Sequence, residues 1–234
     1  METFGFYGNR LQLVKTNLYT PTEDALWLAA AVPANKNDHL FEAGFGTGAA
    51  GLSLLTRCPA THLDAIENHP ELYRLGQQNI QNNQLATRVT LAQADIRTYK
   101  TSTLADHSFA NPPFHNHADG FTTPDPAKDH AHGIDKAAFL AWLNGLMTAT
   151  KADGTITLIT HAHTRPWCLN MAEKSNRCLH ILPLATHPNK PPKRLLAHLK
   201  KGAFTCVEHP PLAAYDADIR DKILRNAEPL GIFE

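Results

Sequence analysis

The tetrapeptide Asn111-Pro112-Pro113-Phe114 combines a side-chain amide oxygen, a backbone carbonyl and an aromatic ring on a backbone stiffened by two prolines. Such a loop can hold a flat, ring-bound NH2 group. The Asn111 amide oxygen and the Pro112 carbonyl would each accept one N–H, while Phe114 stacks on the ring. The lone pair of an aromatic amine is delocalised and poorly nucleophilic. Two acceptors pull the nitrogen toward a tetrahedral shape and aim its lone pair at an electrophile. Orientation then supplies most of the barrier reduction, and no strong base is required. The bland alternative is a Pro-Pro turn that merely ends a strand.

Upstream, Phe41-Glu42-Ala43-Gly44-Phe45-Gly46-Thr47-Gly48 reads as a strand end entering a glycine-rich turn, with an acid just before the first glycine. Two readings compete. Gly46-Thr47-Gly48-Ala49-Ala50-Gly51 fits the G-x-G-x-x-G dinucleotide fingerprint, with Glu67 near the place of its ribose-binding acid, so an NAD-dependent oxidoreductase stays open. Alternatively, Gly44, Gly46 and Gly48 let the backbone pass close beneath the amino-acid end of S-adenosyl-L-methionine, which Glu42 orients. Glu67 would then accept both ribose hydroxyls, and Asp95 a hydrogen bond from the adenine amino group. Singly, each acid could be a solvated loop residue or a helix cap. Three acids at three successive strand ends converge on one ligand. A hydride-transferring enzyme has no use for Asn-Pro-Pro-Phe at a fourth strand end, and this separates the readings.

Placing these groups requires alternating strands and helices, hence a mostly parallel sheet with helices on both faces. The sequence predicts seven strands, over 39–43, 61–67, 88–94, 108–110, 155–160, 179–185 and 194–199, and helices over 49–57, 70–83 and 134–151. An earlier helix opens at Thr20-Pro21-Thr22-Glu23, where Thr20 can cap, Pro21 suits the first turn and Glu23 completes a capping box. It stops near Pro33. The segment 115–133, rich in His, Asp, Pro and Gly, reads as a long loop of the kind that often carries function. The expected organisation is a strand-and-helix lead-in over 1–38 and one compact domain over 39–234.

A chain of 234 residues with 43% hydrophobic and 19% charged residues suits a soluble α/β domain. Its start lacks a basic-then-apolar leader, and no apolar run approaches the roughly 20 residues of a membrane-spanning helix. Cys58, Cys168, Cys178 and Cys206 show no close pairing, which fits reduced thiols in a cytoplasm. Of the 14 histidines, three pairs have the spacing His-x-His (115/117, 130/132, 161/163). No cysteine pair or His-Glu-x-x-His accompanies them, so no metal is expected. The three tryptophans fall on apolar helix faces and read as core.

The formal net charge of zero argues against a simple nucleic-acid binder, but its distribution is uneven. From Lys174 to Val207 there is no acid, while Lys174, Arg177, Lys190, Lys193, Arg194, Lys200 and Lys201 fall inside. This run is either a solvated face or a phosphate-holding patch centred on the proline-stiffened Lys190, Lys193 and Arg194.

With these motifs the chain resembles the bacterial tRNA adenine-N6 methyltransferases that act next to the anticodon of a valine tRNA. The likeness extends to Lys15-Thr16-Asn17-Leu18-Tyr19-Thr20-Pro21-Thr22-Glu23-Asp24-Ala25, similar to that family's segment ahead of the glycine turn, and to Pro191-Pro192-Lys193-Arg194-Leu195-Leu196, similar to its late basic strand. It implies a single Rossmann-like class I methyltransferase domain using S-adenosyl-L-methionine on an RNA substrate, with tRNA the first choice. Asp24 joins Glu42, Gly44, Gly46, Gly48, Glu67, Asp95 and Asn111 at the cofactor; Asn111, Pro112 and Phe114 are catalytic; Lys190, Lys193, Arg194 and His115 face RNA. Phe114 stands where tyrosine is more usual, and Asn-Pro-Pro-Phe-His also resembles the loop of ribosomal-RNA guanine-N2 methyltransferases. Enzymes that methylate a protein glutamine share the motif but usually carry an extra N-terminal helical domain. A non-catalytic RNA-binding protein on the same fold is the remaining alternative. The oligomeric state is left open.

Overall fold

Strands buried on both faces need apolar neighbours pointing alternately to each side, and the central strands supply them. The computed structural model describes residues 2–59, 61–112, 136–226 and 228–233. After a hairpin of β1 (Thr3–Phe6) and β2 (Leu11–Val14), α1 (Asp24–Ala31) leads into β3 (His39–Ala43). Then follow α2 (Ala49–Arg57), β4 (His62–Glu67), α3 (Pro70–Asn82), β5 (Val89–Gln93) and β6 (Ala105–Ala110). The later part runs α4 (Lys136–Ala149), β7 (Thr150–His161), α5 (Arg165–Lys174), β8 (Arg177–Ala185), β9 (Arg194–Lys201), β10 (Thr205–Glu208), β11 (Leu212–Ala213) and the short α6 (Ala217–Arg220).

The sheet order is β5-β4-β3-β6-β7-β9-β8, parallel from β5 to β7 and antiparallel around β9. This is the expected seven-stranded core. The full count is nine, because β10 and β11 both pair with β8 in parallel and share its outer edge. Both are too short to stand out by periodicity. Leu40, Phe109, Ile159 and Leu196 pack on one face with α1, α2 and Phe233. Their neighbours Phe41, Ala110, Leu158 and Leu195 pack on the other with α4 and α5. At roughly 1.5–3 kcal/mol for each large side chain buried, this alternation carries most of the sheet's stability.

Helix positions largely follow the sequence, with three departures. The first helix begins at Asp24 rather than at the Thr20-Pro21 step, and Glu23 does not close a capping box: it bonds Arg220 instead. The entire α5 escaped the pattern because Pro166 reads as a breaker, although proline is at ease in a first helical turn. The third lies in the lead-in, whose strand is a β1–β2 hairpin, held by side chains at the end of α3. Gln12 N donates to Asn83 Oδ1 (2.8 Å) and Gln12 O accepts from Asn83 Nδ2 (2.9 Å), as a partner strand would do.

On the far side of the sheet the C-terminal Phe233 lies in a cage of histidines. Its ring stacks on His198 at 4.7 Å and 4°, and His180 and His209 meet it edge-on. His198 is fully buried, bonded through Nδ1 to Thr157 Oγ1 (2.9 Å), and burial pushes its pKa down to about 3. Unfolding releases this imidazole to its ordinary value, so the unfolded chain binds the extra proton. Stability should therefore fall as pH drops from about 6.5 toward 3, by an amount on the order of a few kcal/mol at ~1.4 kcal/mol per pKa unit. Thermal melts of His198→Phe across that window should lose much of this slope. An unchanged slope would assign the acid sensitivity to other groups.

Candidate functional site

In the sheet the chain order runs outward one way from β3 to β5, then reverses from β6 to β7, making β3 and β6 the switch point. Ala43 pairs with Ala110, so the glycine turn after β3 and Asn111 after β6 leave adjacent strand ends. Two motifs far apart in sequence thus meet at one crevice.

The turn itself is tightly determined. Gly44 has φ 74°, and a Cβ there would lie 2.7 Å from the Trp142 ring of α4. Trp142 thus buttresses the turn, half-buried, rather than filling the deep core. Gly51, the last glycine of the fingerprint, is required for another reason: a Cβ would fall 2.2 Å from Glu42 Oε2. The Glu42 carboxylate is therefore tucked beneath the first turn of α2 rather than projecting from the strand end. It is buried, and burial holds its pKa well above the usual carboxylate range, with the Gly51 amide opposing and Glu67 adding to the shift. Its Oε2 has no hydrogen-bond partner among the described residues.

Glu67, at the end of β4, accepts from Gly46 N through Oε2 (2.7 Å) and from His69 N through Oε1 (2.8 Å). The carboxylate is locked in place while each oxygen keeps a lone pair. Asp95 follows β5 and is engaged by Arg97, which bonds both its oxygens and holds its carboxyl below the usual range. Asp24 receives Arg194 Nε at 3.0 Å. The residue expected at the cofactor and the residue expected on RNA are thus partners.

Two contributors went unassigned in the sequence. Tyr19 sits among Asp24, Glu42 and Glu67; burial first, then these three carboxylates, push its phenol up to about 12. Asn79 of α3 is fully buried, accepting from Val14 N (2.9 Å) and donating to Thr47 O of the glycine turn (2.9 Å). The spacing of Asn79 and Asn83, four apart on one helix face, was the available signal.

At the end of β6, Pro112 is buried and the Asn111 side-chain oxygen is buried without a donor among the described residues. An unmet acceptor in a folded interior costs roughly 1–3 kcal/mol, which makes this oxygen a candidate acceptor for a ligand's donor. Phe114 and His115 lie outside the described residues, as do the His115/His117 and His130/His132 pairs. The basic run is divided by the sheet. The β8–β9 loop with Lys190 and Lys193, both exposed, and Arg194 at the start of β9 stand at the carboxyl edge with Asn111. Lys200 and Lys201 lie at the opposite edge, and Arg177 is buried, donating to the carbonyls of Gly154, Lys151 and Ala152.

The fold is that of the class I methyltransferases. Residues 24–124 match the family model of the methyltransferase small domain. A tRNA1(Val) (adenine(37)-N6)-methyltransferase of Histophilus somni is 27% identical over 199 residues, 82% of this chain and 81% of that one. A namesake from Bacteroides fragilis is 26% identical over 180 residues, 74% of this chain and 73% of its own. A predicted O-methyltransferase of Agrobacterium tumefaciens superposes with a TM-score of 0.70 at 17% identity, over 88% of this chain and 97% of its own, which speaks to the fold. The kinship expected from the motifs is thus present as similarity over most of the chain, and the domain match is to a methyltransferase model.

If Glu67 accepts two ribose hydroxyls of S-adenosyl-L-methionine, each worth roughly 1.5–3 kcal/mol, replacing it with Ala should weaken cofactor binding about 10²- to 10⁴-fold. Calorimetric titration checks this, and unchanged affinity would remove Glu67 from the site.

Proposed function

We propose that the protein transfers a methyl group from S-adenosyl-L-methionine to the exocyclic N6 amine of an adenine in RNA, most specifically in tRNA. The single observation that carries the reading is the buried Asn111 Oδ1, which has no donor among the described residues, beside the glycine turn. Kinship to enzymes named for tRNA adenine-N6 methylation supports the choice of base and of RNA.

The residues present suit the cofactor. Asp24, Glu42 and Glu67 gather around Tyr19, an acidic pocket fit for a ligand with positive charges and a diol. Glu67 would take the ribose hydroxyls, Asp95 the adenine amine once Arg97 shares it, and Asp24 the methionine end, while Glu42 stays beneath the first turn of α2. At Gly46, with φ 57°, a Cβ would meet only the Tyr19 ring at 3.9 Å, so the backbone allows close approach. S-adenosyl-L-methionine supplies a sulfonium methyl open to in-line displacement.

Asn111 and the Pro112 carbonyl would each accept one N–H of the target amine, as the sequence anticipated, and Phe114 would stack on the base. The amine nitrogen, once alkylated, is a strong acid and passes its proton to water. Exposed Lys190 and Lys193 would hold the phosphate backbone at the same edge. A guanine amine would satisfy the same two acceptors, so the decisive test identifies the product. The protein is incubated with labelled cofactor and unmodified total RNA, and the digested nucleosides are resolved by mass spectrometry. N6-methyladenosine in tRNA is expected. N2-methylguanosine would reassign the base, and label in protein the substrate class.

Asn111→Ala should retain fold and cofactor affinity yet lose about 10²–10³ in kcat, the range for one preorganised polar contact. Turnover at the parent rate would falsify this use of the loop. The pair Lys190→Ala and Lys193→Ala should weaken RNA binding and leave cofactor affinity alone. Its log–log salt slope should fall by about 0.7–0.9 for each phosphate no longer neutralised. Arg194 is left intact in that variant because it also holds Asp24.

A further inference from the structure

A ladder of aromatic rings runs from the core to the carboxyl edge of the sheet. Phe139 of α4, fully buried, meets Trp167 of α5 at 5.5 Å; Trp167 meets His163 edge-on at 5.6 Å and 81°; His163 meets His161 at 5.0 Å and 36°. Burial decreases along it, from Phe139 through half-buried Trp167 to exposed His163. Packing accounts for the inner rings, but an exposed imidazole adds little to a core.

The place of the outer rings is informative. His161 ends β7, and His163 lies in the single helical turn Ala162–Thr164 that follows. Strand β7 is the neighbour of β6: Ala110 pairs with Leu158, so one register step on sets Asn111 beside Ile159 and Pro112 beside Thr160. Across β7, His161 pairs with Arg194 of β9, and Ala162 N donates to Lys193 O at 3.0 Å. The turn that carries the exposed ring thus lies at the same strand edge as Asn111 and beside the backbone of exposed Lys193. A planar ring next to a cation is the chemistry that holds one nucleotide, the ring taking the base and the ammonium the phosphate.

We infer that the ladder ending in His163 is a stacking subsite for a nucleotide flanking the target base, with Lys193 on its phosphate. It rests on the reading of the protein as an RNA methyltransferase and deepens it. Such a subsite explains how a base leaving its stack could be held in register, because the neighbour's lost stacking is replaced by the imidazole. Thr164, bonded to Thr160 Oγ1 (3.2 Å) and to His161 O (2.9 Å), fixes the turn so that the ring is held ready.

The test uses the full chain and an unmodified RNA hairpin carrying the target adenine. His163→Ala should raise KM for RNA about 5- to 100-fold, the span of one base-stacking interaction, with a much smaller effect on kcat and none on cofactor affinity. His163→Tyr should restore KM, whereas His163→Lys, a cation without a ring, should not. Removing the flanking base, on each side in turn, should cost the parent a similar factor at one of the two positions. At that position His163→Ala should add nothing further. An unchanged KM in His163→Ala, or losses that multiply at both positions, would overturn the subsite. A parent that methylates the hairpin but ignores His163 sinks this inference alone; a parent that methylates no RNA sinks the underlying reading.

Discussion

The parallel pairing of β3 with β6 joins Leu40 to His107, Phe41 to Ser108, Glu42 to Phe109 and Ala43 to Ala110, and it sets the chemistry that follows. These strands are not consecutive in the chain; two strands, β4 and β5, and two helices, α2 and α3, intervene. Because the order reverses there, the crossovers on either side lead away from the crevice above their ends among the described residues, and the glycine turn and Asn111 both leave strand ends beside it. Each face of the pair is sealed by a large buried ring, Phe109 toward α1 and α2 and Phe41 toward α4 and α5. A slip of one residue would exchange these faces and separate the two motifs.

Electrostatics then give the crevice its character. Asp24, Glu42 and Glu67 come close enough to Tyr19 to suppress its ionisation, and Arg194 is a cation held against this group through Asp24. Burying a carboxylate such as Glu42 is costly. The protein carries that cost where a positively charged ligand would offset it, the pattern expected of a binding site rather than of a core. Arg194 is the other half of this arrangement. It ties the start of α1 to the start of β9, so the acidic pocket and the basic edge share one ion pair instead of lying on separate surfaces.

Rigidity is supplied from outside the sheet. Asn79 bonds at once to β2 and to the carbonyl of Thr47, while Asn83 continues the clasp along Gln12. The N-terminal hairpin thereby braces the glycine turn from the side that the sheet cannot reach. Arginines act similarly at the helix ends: Arg57 donates to Ala29 O and Val32 O at the end of α1, and Arg88 to Leu55 O and Cys58 O after α2. Both satisfy carbonyls that a helix terminus leaves unpaired.

The sequence by itself determined the alternation of strands and helices, the positions of the seven main strands and the acids at their ends. Local causes suffice for these: apolar runs, glycines at positive φ and prolines at helix starts act within a few residues. The string Asn-Pro-Pro-Phe is likewise legible, and with it the expectation of a loop that holds an amine. Only the tertiary structure decided where each acid points. Glu42 turns inward because Gly51 leaves room for it, and that depends on how α2 lies over β3. Only the tertiary structure divided the basic run, since residues close in sequence on an antiparallel pair end at opposite edges of the sheet. The pairing of Arg194 with Asp24 spans most of the chain, and the cage around Phe233 joins the end of the chain to β8 and β9. Such pairings leave no periodic trace, because their energy comes from surfaces that meet only after the sheet has formed.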